Sequence, residues 1–299
     1  MLLLLACTPE PIYTGPWFEA APLFDDLQEH ATVVLDGEVV VLGGWAGIRT
    51  TTRVEAYDPV GDSWRSLPEL PERMHHINAA AVDERLFVLG ASDGVSFDLL
   101  DGVWVLEGEG WSELEPMPRG RAASAVVVLE GFVHVIGGEV DGGPTALHDR
   151  YDPETDTWES LEPMPTPREH VCGGVIDGQI VVAGGRDGTI DGHTDTVEVF
   201  DGEQWSEAEP LPTSRGGAGC AVLDDRLVVV GGEGADNDTG VFSEVEAFDL
   251  SGWESLAPMV TPRHGAGAAV LDDKLWFPGG ATTRGLGATD VHEVLDLSR

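Results

Sequence analysis

Tryptophan recurs at a fixed interval along most of the chain, and this periodicity limits the possible folds more than any other feature. Six tryptophans are separated by 47, 47, 47, 47 and 48 residues: Trp17, Trp64, Trp111, Trp158, Trp205 and Trp253. A second set of markers keeps the same spacing: Gly43-Gly44, Gly90-Ala91, Gly137-Gly138, Gly184-Gly185, Gly231-Gly232 and Gly279-Gly280. Two independent markers with one period indicate six copies of a single supersecondary unit.

Each copy has the pattern of four short strands, which we name a, b, c and d. In the fourth copy these are HVCGGVID, QIVVAGG, DTVEVFD and QWSEAE. Strands a and b are apolar at almost every position, as expected for strands that are packed on both faces. The Asp177-Gly178 turn between them is a strong hairpin signal, and Asp36-Gly37 repeats it.

These markers resemble the Kelch family: an arginine before strand a, Gly-Gly at the end of strand b, Tyr-Asp-Pro, and a tryptophan in strand d. The resemblance implies an all-β, six-bladed β-propeller with four antiparallel strands per blade around a central channel. The second copy departs from the pattern, since it has Gly90-Ala91 and lacks Tyr-Asp-Pro, so we expect a less regular blade. The predicted blades span about 28–68, 75–115, 121–162, 168–209, 215–257 and 263–297.

The two ends of the chain predict how the ring closes. The segment PWFEAAP (16–22) has the pattern of strand d before any strand a, and DVHEVLDL (290–297) ends with strand c. We therefore expect the strand at 16–21 to complete the sixth blade, which removes an exposed sheet edge. Residues 16–299 then form a single domain.

The first seven residues, Met1-Leu-Leu-Leu-Leu-Ala-Cys7, resemble the cleavage region of a bacterial lipoprotein signal. The resemblance implies an acylated Cys7, a linker at 8–15 and an extracytoplasmic protein on a lipid tether or secreted. The segment lacks a positive region, and its apolar run is shorter than usual. The alternative is an apolar N-terminus with a chance cysteine.

Acidic residues outnumber basic ones by 54 to 16, giving a formal net charge of −38. Such a chain repels nucleic acid and anionic membranes, so we expect neither as a partner. The expected partner is an unknown protein, peptide or glycan, and we expect a monomer whose membrane contact is only the lipid anchor.

Basic residues are concentrated where the d–a and b–c loops meet on one face of the predicted propeller. Sixteen residues before the first glycine of each pair lie Arg121, Arg168, Arg215 and Arg263, with Arg73 one residue off and Leu27 in the first copy. Histidines follow within three residues (His30, His76, His170 and His264), and the b–c loops add Arg49, Arg186 and Arg284. These side chains are candidates for binding a carboxylate, an acidic peptide or an acidic sugar. The alternative is that the repeated arginine is a structural part of the Kelch repeat.

No signature of a copper-radical oxidase, a serine hydrolase or a zinc site is assigned, so we predict no cofactor and no metal. Resemblance to the copper-radical galactose oxidases is limited to the fold, because Tyr57 and Tyr151 occupy a structural position in strand c. Two acidic loops, 186–195 and 233–240, are either weak calcium sites or solvated loops. Cys172 and Cys220 lie in strands a of adjacent blades, where they form either free thiols or a disulfide.

The sequence favours a binding module, because a complete scaffold carries no recognised catalytic group. Two alternatives stay open. One is an enzyme acting on an acidic sugar, by analogy with the sialic-acid-processing Kelch proteins of bacterial envelopes. The other is a structural component of the envelope.

Overall fold

The computed structural model of the protein describes residues 13–94, 96–108 and 110–299. The predicted lipidation site, Cys7, and most of the predicted linker lie outside these residues. Within the described ranges no helix has the length and apolar composition needed to span a bilayer.

In the part of the chain that the structure describes, thirty strands form six successive antiparallel sheets, the blades of a propeller, and two separate two-stranded ribbons. The chain begins with β1 (Tyr13–Thr14) and β2 (Trp17–Glu19). Blade 1 contains β3 (Ala31–Leu35), β4 (Glu38–Leu42), the ribbon β5 (Trp45–Ala46) and β6 (Arg49–Thr50), β7 (Val54–Asp58) and β8 (Ser63–Ser66). Blade 2 contains β9 (Met74–His75), β10 (Ala79–Val82), β11 (Arg85–Asp93), β12 (Leu99–Glu107) and β13 (Gly110–Glu113).

The other four blades are built in the same way. Blade 3 contains β14 (Ala125–Leu129), β15 (Phe132–Ile136), the ribbon β16 (Glu139–Val140) and β17 (Gly143–Pro144), β18 (His148–Asp152) and β19 (Thr157–Ser160). Blade 4 contains β20 (Cys172–Ile176), β21 (Gln179–Ala183), β22 (Val197–Phe200) and β23 (Trp205–Glu207). Blade 5 contains β24 (Gly219–Leu223), β25 (Arg226–Val230), β26 (Val245–Phe248) and β27 (Trp253–Ser255). Blade 6 contains β28 (Ala269–Leu271), β29 (Lys274–Pro278) and β30 (His292–Leu295).

The N-terminal strand completes blade 6, which confirms the predicted closure. Strand β2 pairs with β30, placing Trp17 opposite Leu295 and Phe18 opposite Val294. The indole Nε1 of Trp17 also donates a hydrogen bond of 2.9 Å to the carbonyl of Ala257 in blade 5. The five other repeat tryptophans make the same bond to the preceding blade, so one contact recurs around the whole ring.

The a–b hairpins follow the chemistry of the Asp-Gly dipeptide. Asp36 and Gly37 have φ values of 50° and 77°, and Asp177 and Gly178 have 48° and 73°. Two consecutive positive φ values define the tight turn whose twist matches that of the flanking strands.

Blade 2 is the least regular, as its sequence predicts. Its strands b and c are nine residues long, and their register shifts between Leu89 and Ala91. The additional strand β9 pairs with the far end of β11.

The hydrophobic core is divided among the interfaces between blades. Between blades 3 and 4, for example, Ile136 packs with Ile180 and Val182, and similar clusters occupy the other five interfaces. Burial on both faces explains why strands b are apolar at almost every position.

Candidate functional site

The arginines at the start of strands a are buried within their blades. Arg121, Arg168, Arg215 and Arg263 are at most 1% exposed. Each pairs with a carboxylate of strand c in the same blade: Arg121 with Asp149 at 2.6 Å, Arg168 with Glu198 at 2.7 Å, Arg215 with Glu246 at 2.8 Å and Arg263 with Glu293 at 3.0 Å. Burial lowers the pKa of Arg121 and Arg263 to about 10, which leaves both guanidinium groups protonated at neutral pH. Their charges are therefore neutralised inside the propeller.

The backbone of the same arginines holds the neighbouring blade. The amide of Gly185 in blade 4 donates a hydrogen bond of 2.9 Å to the carbonyl of Arg215 in blade 5. The amide of Gly138 in blade 3 donates one of 2.8 Å to the carbonyl of Arg168 in blade 4. Gly185 has a φ of 105°, and a Cβ there would lie 2.7 Å from the carbonyl oxygen of Glu169. The close approach explains the second glycine of each pair.

Blades 1 and 2 lack this ion pair. Leu27 and Met74 occupy the buried arginine position, whereas Arg73 is exposed, so the buried ring has four arginines instead of the expected five. In blade 2 the carboxylate position is also apolar, since Trp104 packs into the same cluster as Met74. In blade 1 the carboxylate of Glu55 is retained and is paired with Arg53 at 3.4 Å.

Two residues after the arginine position, the six blades meet in a closed ring of backbone hydrogen bonds. We call its members the mouth ring: Glu29, His76, Ala123, His170, Gly217 and Gly265. Each amide donates to the carbonyl of the previous member, with N···O distances of 2.5 to 3.1 Å, and Glu29 closes the ring onto Gly265. All six residues have φ between 51° and 63° and line the mouth of the central channel.

Polar side chains are carried by three members of the mouth ring. His76 Nε2 lies 3.3 Å from Glu29 Oε2, and the rings of His76 and His170 are 4.8 Å apart in an edge-to-face arrangement. His264 lies beside them, with Nδ1 3.8 Å from carboxylate oxygens of both Glu29 and Glu233. The other members, Ala123, Gly217 and Gly265, add no side chain beyond a methyl group.

Arg186 connects this cluster to the b–c loops. Its guanidinium pairs with Glu169 at 2.9 Å and with Glu233 of the next blade at 2.5 Å. The same group lies 2.7 Å from Nδ1 and 2.8 Å from Nε2 of His170, and the Glu169 carboxylate contacts Nδ1 of His170 as well. Two carboxylates thus neutralise the one cation nearest the mouth ring.

Burial keeps the histidines of the mouth ring uncharged. The pKa of His76 is lowered to about 3, mainly by burial and also by the positive charge of Arg186 and by His264. Burial also lowers the pKa of His170 well below its ordinary value, again with a contribution from Arg186. At neutral pH both imidazoles are therefore neutral, with a lone pair available on one nitrogen.

An open cleft lies beside the mouth ring between the b–c loops of blades 2, 3 and 4. It has a volume of about 280 Å³, with His76, His170 and Arg186 on the inner side and Phe97, Pro144 and Ile190 on the outer side. Phe97 is 52% exposed, its ring lies 4.9 Å from that of His75, and its φ is 57°. A positive φ is unusual for a bulky residue and costs on the order of 1–3 kcal/mol.

The other predicted site residues are spread over separate positions. His30 is buried in the channel wall, where its Nε2 lies 3.1 Å from the carbonyl of Pro278. Arg49 is exposed at the tip of the blade 1 ribbon. Arg284 reaches from blade 6 to pair with Asp191 of blade 4 at 2.6 Å.

The expectation that the sequence lacks the G-x-S-x-G spacing of serine nucleophiles is wrong, because Gly90-Ala91-Ser92-Asp93-Gly94 has it. A nucleophile of this kind requires a sharp turn between a strand and a helix. Ser92 instead lies inside the continuous strand β11, is 1% exposed and is paired with His75 of β9. The spacing is therefore a feature of strand b in this blade.

The two cysteines of adjacent blades meet across the interface as free thiols. The Sγ atom of Cys220 lies 3.3 Å from the amide nitrogen of Gly173, next to Cys172. Burial raises the pKa of Cys172 well above its ordinary value, and a hydrogen bond with Cys220 raises it further. The Cys172 thiol therefore stays protonated at neutral pH.

Comparisons with known proteins agree with this geometry. The Kelch motif family model matches residues 28–71, 120–165 and 167–212. Mouse Kelch-like protein 35 is 31% identical over 88 residues, which are 29% of this chain and 15% of that protein. Kelch repeat and BTB domain-containing protein 12 of Danio rerio is 36% identical over 105 residues, 30% of this chain and 16% of that protein. The chain therefore covers only about 15% of the length of the curated relatives it matches.

The solved structure of YjhT superposes with a TM-score of 0.77 at 17% identity, covering 90% of this chain and 95% of that chain. At this identity the likeness shows the fold alone. Fold, repeat markers and family match together define a six-bladed β-propeller. Three segments of this propeller therefore carry the Kelch motif.

Proposed function

We propose that this Kelch propeller is a binding module that holds a protein or peptide segment on its loop face. The loop face is the side formed by the d–a and b–c loops. The proposed contact surface is the cleft between the b–c loops of blades 2, 3 and 4. Phe97 and Ile190 serve as apolar anchors there, and His76, His170 and Arg186 supply polar contacts.

The distribution of exposed apolar side chains carries this proposal. Within the described ranges, two exposed large apolar side chains, Val60 and Val128, lie away from the loop face. Six lie on it: Phe24, Ile48, Phe97, Ile190, Val260 and Leu286. Exposed apolar groups gathered on one side, around a polar centre, are typical of a protein interaction surface.

A peptide display library tests the proposal on the full chain. Peptides selected against the wild-type protein are expected to bind the Phe97→Ser and Ile190→Ser variants at least about 10-fold more weakly, because the apolar anchors are lost. Val60→Ser is the matched control, since Val60 is 92% exposed in a c–d turn on the opposite face. Binding that falls equally in the control variant, or a library that yields no binder, would contradict the proposal.

The extracytoplasmic location is also proposed, with support from the sequence of residues 1–7 alone. Fatty-acid labelling of the chain in a bacterial host is expected to require Cys7 and to disappear in Cys7→Ala. Labelling that persists in the variant would exclude Cys7 as the acylated residue.

An enzyme acting on an acidic sugar is the second candidate. It is favoured by the group of neutral histidines and Arg186 beside the cleft. The guanidinium of Arg186, however, is already paired with the carboxylates of Glu169 and Glu233. This pairing leaves little positive charge to bind an acidic substrate. Turnover of an acidic sugar that is lost in Arg186→Gln would support this candidate over the binding module.

A further inference from the structure

We infer that Glu29, His76 and His170 form a binding site for one divalent transition-metal ion at the mouth of the central channel. The site borders the peptide cleft and shares His76 and His170 with it, but it is tested with zinc alone and does not rest on the proposed peptide binding. A carboxylate with two imidazoles is a ligand set that suits zinc and related ions.

The distances fit a single ion. The candidate ligand atoms of the three residues all lie within 4.8 Å of one another, and His76 Nε2 is 3.3 Å from Glu29 Oε2. A tetrahedral zinc ion with bonds of about 2.0–2.1 Å holds its ligand atoms roughly 3.4 Å apart. Small side-chain rotations are therefore sufficient to close the set around an ion.

The fold places the three ligands without help from any local motif. They are contributed by blades 1, 2 and 4, at sequence intervals of 47 and 94 residues, so no zinc-type spacing is visible in the sequence. Their backbones are fixed in one conformation by the hydrogen-bonded mouth ring. Ligands on such a rigid frame lose little conformational entropy when an ion binds.

Each histidine also has a partner for its second ring nitrogen. Glu169 contacts Nδ1 of His170, and His75 contacts Nδ1 of His76 while its own Nε2 lies 3.1 Å from the carbonyl of Gly94. Contacts of this kind orient metal-bound imidazoles and select the tautomer that exposes the other nitrogen.

The space over the mouth ring leaves a coordination position open. Ala123, Gly217 and Gly265 occupy the other three ring positions and line the channel mouth, a cavity of about 180 Å³. Three protein ligands with one open position are the arrangement of zinc sites that bind water or a further ligand.

The positively charged side chain of Arg186 lies at the edge of this site, beside the imidazole of His170. Its guanidinium lies 2.8 Å from Nε2 of His170, where it competes with a metal for the same lone pair. When a metal binds, Arg186 retains its ion pairs with Glu169 and Glu233. Removing Arg186 should therefore strengthen metal binding, whereas removing a ligand should weaken it.

The test is a zinc titration of the full chain in excess Mg²⁺, which occupies the many surface carboxylates. We expect one Zn²⁺ per chain, and a rise in Kd of more than about 100-fold in His76→Gln and His170→Gln, beyond the effect typical of outer-shell partners. His193→Gln is the matched control, because His193 is a half-buried histidine of the blade 4 b–c loop outside the ligand set. Replacing zinc by Co²⁺ should give a visible absorption band in the wild type and none in the ligand variants.

The Arg186→Gln variant keeps the test decisive even if the histidine variants lose zinc binding through misfolding. It is expected to bind Zn²⁺ more tightly than the wild type does, a gain that an unfolded protein does not produce. Zinc uptake that is equal in wild type, His76→Gln and His170→Gln would overturn the inference, as would a folded Arg186→Gln protein that binds zinc no more tightly. Failure of the peptide screen would leave these outcomes unaffected, because the two sites are measured separately.

Discussion

The arginine position and the mouth ring lie two residues apart in every blade, yet they are built in opposite ways. At the arginine position the side chain is buried and engaged: Arg168 pairs with Glu198, and three other blades repeat the pair. At the mouth ring the backbone is constant, with φ between 51° and 63° and the same hydrogen bond in all six blades, while the side chain varies from glutamate to glycine. Side chains that vary on a constant backbone mark the positions where function can be added without disturbing the fold.

The largest effect is expected from breaking one buried pair. Arg168→Met should lower the free energy of unfolding by about 3–5 kcal/mol, because it leaves the buried carboxylate of Glu198 without its partner. Urea unfolding followed by tryptophan fluorescence measures the change. The double variant Arg168→Met, Glu198→Leu should recover most of it, since blade 2 already uses Met74 and Trp104 at these two positions. A single variant as stable as the wild type would contradict a structural role for the arginine.

An intermediate effect is expected from acidification, through the histidines inside the blades. The pKa of His148 is lowered to about 3, mainly by burial and also by the neighbouring His134, Arg121 and Arg150. Since the folded pKa lies below the unfolded value of about 6.5, the unfolded state binds the proton first as the pH falls. Stability is therefore lost from about pH 6.5 downwards, by roughly 2 kcal/mol from this one residue at pH 5.

Urea unfolding at pH 7 and pH 5 measures this loss in the wild type and in His148→Gln. The variant should show a smaller difference between the two pH values. His193→Gln serves as the comparison on the loop face, where the histidine is only half-buried and a smaller change is expected. Equal pH dependence in the wild type and His148→Gln would show that other groups control the acid response.

The smallest effect is expected at the mouth ring itself. Ala123 has a φ of 52°, so Ala123→Gly should relieve strain and raise the free energy of unfolding by at most about 1 kcal/mol. The control is Arg121→Met, two residues earlier, which should cost as much as Arg168→Met. If Ala123→Gly destabilised the protein as strongly as Arg121→Met, the proposed division between the two positions would be wrong.

The sequence predicted the propeller, because the tryptophan and glycine markers are structural parts of every blade. It also predicted where the arginines lie along the chain. It did not predict that Arg73 would lie outside the set of buried arginines. A shift of one residue in an extended segment turns the side chain to the other face. Met74 takes the buried place and Arg73 is left exposed.

The candidate site was accessible to sequence reasoning only in part. His76 and His170 were selected because they follow the arginine position, but Glu29 was missed, although it lies at the same repeat position. Aligning all six copies two residues after the arginine identifies the mouth ring. The exposure of Phe97 could not be predicted from the sequence, because it depends on the course of an irregular loop in blade 2.

The mouth ring constrains the number of blades, because its hydrogen bonds must join the last blade to the first. Each amide needs the carbonyl of the preceding blade, and Glu29 needs Gly265 from the far end of the sequence, so no donor or acceptor is left over when six blades are present. Removing one repeat forces the remaining members across a gap of different size, and adding one crowds them. The six hydrogen bonds of the mouth ring thus fix the number of blades as well as hold the channel open. A chain with a different number of blades has no closed ring on which to position its ligands.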